Sequence, residues 1–153
     1  MDGNTLTLLG VVLATALSGI GTAIAVSIST RAAAGVLTEK PNLFGKLLVL
    51  VALTTTNGIY GFLVSVLIMS QSGLLGGSTA VISQAEGMKY LMASLPIGIV
   101  GMLAAVYQAK SAATSIYMTA KKEDLSARGI VMVSLIETYP ILALLVSVLI
   151  LLG

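Results

Sequence analysis

The chain has 153 residues, of which 57% are hydrophobic and 9% charged, with a net charge of +2. Soluble domains carry roughly 25% charged residues, so this composition, with a mean hydropathy of +1.05, is that of an integral membrane protein. The absence of cysteine and histidine excludes disulfides, thiolate metal sites and histidine-based catalysis, and so small a net charge gives no reason to expect a nucleic-acid partner.

In chain order, Asp2 precedes any basic residue and the first of those is Arg31, which argues against a cleaved signal peptide despite the small residues Ala23 and Ala25. Residues 4 to 30 are free of charge and long enough for one membrane crossing. A polar turn follows at Thr38-Glu39-Lys40-Pro41-Asn42, where proline suits a break. Lys46 opens a second run that stays apolar to about Ser70, and a linker over 71–87 contains Gly73, Gly76, Gly77, Ser78 and Thr79. The third run, from about Met88 to Tyr117, is uncharged between Lys89 and Lys110. Lys121-Lys122-Glu123-Asp124 forms the next turn, and Arg128 precedes the fourth run. That run extends from Gly129 to Gly153 and holds a single charged side chain, Glu137. As a helix it is ~37 Å long against a hydrocarbon layer of ~30 Å.

The expected fold is therefore all-α: four transmembrane helices arranged as two hairpins, over 4–70 (turn near 38–45) and 88–153 (turn near 119–128), joined by an extracytoplasmic linker over 71–87. Arg31, Lys40, Lys46, Lys110, Lys121, Lys122 and Arg128 flank the two turns, whereas Lys89 alone belongs to the linker. The positive-inside bias then places both turns in the cytoplasm and both termini outside.

The hairpins repeat in one constant register, without a gap. Leu63-Val64-Ser65-Val66-Leu67-Ile68 recurs as Leu145-Val146-Ser147-Val148-Leu149-Ile150, Lys40 falls on Lys122, and Lys46 falls on Arg128. Small residues form stripes at every fourth position, Gly19, Ala23 and Ser27 in the first helix and Gly101, Ala105, Ala109 and Ala113 in the third. Such stripes permit close backbone approach in lipid. Two equivalent stripes suggest hairpins side by side in a ring, helices one and three on the inner circle.

Glu137 is the one acid deep in a span, where a bare carboxylate costs at least ~2.5 kcal/mol, so a proton, a cation or a partner charge must compensate it. Glu137 and Gln108 stand at nearly equal distances on either side of the second turn, whose centre is near 123, which puts both at one depth. On helix two, Leu53, Thr56, Asn57 and Tyr60 share one face at i, i+3, i+4, i+7, and the repeat sets Thr55 at the depth of Glu137. These groups suit an all-oxygen site for a hard monovalent cation; singly, each also suits hydrogen bonding between helices.

The duplicated hairpin, Thr56-Asn57-Gly58-Ile59-Tyr60-Gly61 in helix two, Gln108 in helix three and Glu137-Thr138-Tyr139 in helix four together resemble the proteolipid rotor subunit of V/A-type ATPases (the K or c subunit), in its sodium-translocating bacterial branch. The likeness covers the whole chain. It implies a ring of identical copies in the lipid bilayer of the cell membrane, turning against a stator subunit with an essential arginine and joined to a central-stalk adaptor, with no cofactor and with Na+ or H+ as cargo. It also implies ion ligands at the Leu53 backbone carbonyl, Thr56, Asn57, Gln108 and Glu137, with Tyr60 hydrogen-bonded to the acid. Asn57 departs from the pattern, standing one methylene short of the family's Gln, which leaves sodium and proton both open. By the same likeness the chain is not an enzyme on its own. A small proton-coupled exporter or a structural membrane protein without an ion site are the alternatives; the exporter wants a roomy aromatic pocket, and this chain has no tryptophan and two phenylalanines.

Overall fold

A computed structural model describes residues 1–76 and 81–153; Gly77, Ser78 and Thr79 of the expected linker lie outside them. Four helical spans, Gly3–Glu39, Pro41–Gln71, Gln84–Lys121 and Glu123–Leu152, are each long and apolar enough to cross a membrane, as the apolar runs predict. The first and third are unbroken helices, α1 (Gly3–Glu39) and α4 (Gln84–Lys121). A capping box starts α4: Ser83 Oγ accepts from the Glu86 N–H, and the Glu86 carboxylate accepts from the Ser83 N–H.

The even spans are each interrupted. The second comprises α2 (Phe44–Ala52), a 3₁₀ turn at Leu53–Thr55 and α3 (Thr56–Gln71). The fourth comprises α5 (Ser126–Ser134), a turn over 135–137 and α6 (Thr138–Leu152). Leu53 and Leu135 stand at equivalent positions of the repeat, yet the causes of the two breaks differ. In the fourth span Pro140 has no N–H to give the Ile136 carbonyl, which instead accepts from the Tyr139 N–H at 3.3 Å. In the second span there is no proline beyond the turn. Thr54, Thr55 and Thr56 turn their hydroxyls back to the carbonyls of Val51, Ala52 and Leu53 at 2.7, 2.7 and 3.1 Å, a bonding pattern that loosens and bends helices.

α1 lies along α4, the second span packs on both, and the fourth packs on α4 and α3. The odd spans thus form a central pair flanked by the even ones. Close approach depends on glycine: a Cβ at Gly21 would lie 2.5 Å from Met102 Cα, and one at Gly61 2.5 Å from the Ala14 carbonyl oxygen. In the third-helix stripe Gly101, Ala105 and Ala109 are buried, as expected, while Ala113 is only half-buried. The first-helix stripe does not pack inside the chain: Ala23 is exposed, no atom of another span lies within 4 Å of a Cβ built on Gly19, and the inward face is Gly10, Ala14, Ser18, Gly21, Ala25 and Ser29. Small residues occupy both faces of α1, and Gly21 and Ala25 give the closer fit to Met102 and to the Ala105–Ala109 cluster.

At the turn end the hairpins are tied by Lys46 and Asn42, which donate to the Glu123 carboxylate at 3.1 and 3.2 Å, and by Lys40 Nζ, which caps the Ala120 carbonyl at 2.6 Å. One apolar cluster, including Leu43, Leu47, Leu50, Ile116 and Val133, fills the turn half, and another, including Val64, Ile68, Ala93, Ile97 and Leu151, fills the other half. Leu53 packs on the first and Tyr60 on the second, so the polar face of the second span lies between two dry layers.

Candidate functional site

The site begins with the breaks. Glu137 closes the turn between α5 and α6, and Asn57 and Tyr60 sit in the first turns of α3, after the threonine-loosened segment. α4 is continuous at this depth and carries Gln108 on the face buried against its neighbours. Three spans therefore deliver side chains to one level.

They form one hydrogen-bonded chain. Asn57 Nδ2 donates to Gln108 Oε1 at 2.8 Å, Gln108 Nε2 donates to Glu137 Oε2 at 2.5 Å, and the Tyr60 hydroxyl donates to Glu137 Oε1 at 2.7 Å. Both carboxylate oxygens thus accept a hydrogen bond, each from a different span. Asn57 and Gln108 are fully buried, whereas Glu137 and Tyr60 are half-buried. The ion pair found among the described residues is Lys46 with Glu123, so no basic side chain among them neutralises Glu137. Lys110, just beyond Gln108 on α4, turns outward over the Tyr107 ring at 5.3 Å from its centroid.

Leu53 and Thr56 form a separate pair, Thr56 Oγ1 donating to the Leu53 carbonyl at 3.1 Å. Their two oxygens stand side by side, and no hydrogen bond joins them to the chain that ends on Glu137. Asn57, Tyr60, Gln108 and Glu137 are thus linked, while Leu53 and Thr56 are adjacent to them on the second span. Among the described residues no three His, Cys, Asp or Glu side chains cluster as a metal site. One carboxylate among neutral oxygens and donors has the charge to balance a proton or a monovalent cation, and too little for a divalent one.

One residue at this level, Thr22, escaped the sequence analysis. Asn57 Oδ1 and Thr22 Oγ1 are buried without a hydrogen-bond partner, and Thr22 lies against Gly58, the residue after Asn57. A lone threonine on α1 carries no sequence signal that separates it from the other hydroxyls of that helix, most of which bond back to their own backbone.

A family model for the C subunit of ATP synthase matches the chain twice, over residues 9–68 and 91–150. The two matched segments stand in the register of the internal repeat, in which Leu63 falls on Leu145. Over 151 residues the chain is 37% identical to the V-type sodium ATPase subunit K of Enterococcus hirae, covering 99% of this chain and 93% of that protein. Over 144 residues it is 33% identical to the A-type ATP synthase subunit K of Methanocaldococcus jannaschii, covering 94% of this chain and 60% of that longer protein.

Proposed function

The chain belongs to the family of the ATP synthase C subunit, and from that premise we propose that it is a rotor-ring proteolipid of a V/A-type ATPase that carries an ion across the membrane on Glu137. The observation that carries this reading is an acid inside a span, held by Gln108 and Tyr60 from two other spans and paired with no basic residue among those described. Facing lipid, such an acid must be neutralised by its cargo; opposite the stator arginine it is stable ionised and exchanges that cargo. Rotation of the ring then carries each loaded acid from one access path to the other. Moving one charge against 100 mV takes ~2.3 kcal/mol, which ATP hydrolysis in the soluble head supplies through the central stalk.

Sodium is the cargo the reading favours. The Leu53 carbonyl and Thr56 hydroxyl supply two neutral oxygens on the span that also carries Asn57 and Tyr60, and the Enterococcus relative is a sodium ATPase subunit by name. In this reading the basic turns near 38–45 and 119–128 face the cytoplasm and meet the stalk, and both termini lie outside. The first hairpin, 4–70, and the second, 88–153, act as one unit with a single acid.

Native mass measurement in mild detergent tests the assembly. A closed ring of many copies is the expected result. A dimer would favour a small exporter, and a monomer would leave Glu137 without the rotor that the proposal requires.

A further inference from the structure

The Gln108 amide faces the wrong way for a cation. Its donor Nε2 is turned to the Glu137 carboxylate, and its acceptor Oε1 is turned to Asn57. A cation beside Glu137 needs oxygen there, so Gln108 must turn its amide over. The turn takes little room, since the two ends of an amide are nearly equal in size. Made alone, however, it sets Gln108 Nε2 against Asn57 Nδ2, donor facing donor, between two fully buried side chains. Asn57 holds the remedy. Its Oδ1 is buried and has no partner, so turning this amide as well breaks no bond of its oxygen and presents an acceptor to Gln108.

We propose that Asn57 is a positioning residue rather than an ion ligand, and that capture of a monovalent cation at Glu137 turns the Gln108 and Asn57 amides over together. With the cation held, Gln108 Oε1 faces it and Gln108 Nε2 donates to Asn57 Oδ1. In this arrangement the Asn57 Nδ2 so released takes as its acceptor Thr22 Oγ1, which is unpartnered and lies against Gly58, the next residue of the same helix. Asn57 bonds Gln108 through Nδ2 and makes no bond to Glu137, which fits a side chain too short to reach the ion. The amide pair gives the site two hydrogen-bond polarities, one matched to a donor-bound carboxylate and one matched to a cation. The inference rests on the reading of Glu137 as the cation-carrying acid.

The test uses the purified assembly. Hydrophobic carbodiimide labelling of Glu137 is measured against sodium concentration in the unsubstituted protein, Asn57→Leu, Gln108→Ala and the double variant. A leucine leaves the turned Gln108 Nε2 without an acceptor, and orphaned buried N–H groups are rarer than orphaned carbonyls, so Asn57→Leu should raise the sodium needed for half protection by roughly 5-fold or more. Gln108→Ala should raise it as well. The double variant should be no worse than Gln108→Ala, because Asn57 acts through Gln108. Multiplying losses overturn the proposal and make Asn57 a direct ligand; an Asn57→Leu protein protected as before reduces Asn57 to packing and also overturns it. Should the unsubstituted protein label without any sodium protection, the cation reading falls and this proposal with it.

An infrared readout needs no substitution. With ¹³C in asparagine side-chain carbonyls, the band that responds to sodium belongs to Asn57, since Asn4 and Asn42 lie at the two ends of the molecule. It should move to lower frequency as its oxygen gains a hydrogen bond. A band that sodium leaves in place contradicts the turn.

Discussion

Tyr60 binds one oxygen of Glu137 and Gln108 the other, so at the scale of single residues the carboxylate is fixed from two spans at once. A hydrogen bond to a charged group contributes about 1.5–3 kcal/mol. Tyr60→Phe removes one such bond while keeping the ring that packs on Val64, Ile68 and their neighbours. The expected result is an intact assembly whose Glu137 needs roughly 10-fold more sodium for half protection from carbodiimide, or more. Unchanged protection would mean that the hydroxyl does not hold the acid when the ion is bound. Glu137 and Gln108 are legible in the sequence because an acid and an amide inside apolar runs are rare and fall at nearly equal distances from one turn. The polarity of the amides is not legible, since glutamine and asparagine each offer both a donor and an acceptor and only neighbours decide which is turned where.

At the scale of helices, the breaks in the even spans bring the site together. Pro140 is visible in the sequence, and its effect on the Ile136 carbonyl follows from the missing N–H. Pro140→Ala restores that donor, and the fourth span should straighten through 135–137 and draw Glu137 away from Gln108 and Tyr60. The assembly should survive with weaker sodium protection, whereas protection equal to the unsubstituted protein would show that the break does not position the acid. The matching break in the second span arises from three threonines that bond back on their own helix, a pattern easily taken for an uninterrupted span. The face that α1 turns inward was also hidden. Its small residues lie on both sides, and hydrophobic periodicity cannot rank one stripe over another where every side chain is apolar or small. The packing separates two roles that the repeat makes look alike. Ala105→Leu overfills a position buried within the chain and should destabilise the folded subunit by roughly 1–3 kcal/mol. Ala23→Leu changes a residue exposed in the single chain and should leave the subunit folded while weakening its association with further copies. Thermal denaturation and native mass, read on both variants, distinguish these outcomes; an assembly untouched by Ala23→Leu would remove that stripe from the contact between copies.

At the scale of the whole molecule, exposed Leu48, Ile59, Phe62, Leu135 and Leu142 make sense only against lipid or further copies. Span number and duplication were legible, because charge is so scarce that basic clusters separate the apolar runs. The proposed orientation rests on those same clusters. Cysteines at Thr38 and Lys121 should react with membrane-impermeant reagents from the cytoplasmic side alone, and one at Leu75, exposed at the far end, from outside alone; the reverse pattern would invert the topology. The rotor function depends most directly on whether Glu137 exchanges a proton for sodium. Carbodiimide attacks the protonated carboxyl, so the assembled protein should be modified at Glu137 and protected by sodium. Protection should strengthen as pH rises, because sodium must displace the proton. Labelling that sodium leaves unchanged at every pH would make this a proton site, and no labelling of Glu137 under any condition would contradict its place as the ion-carrying acid.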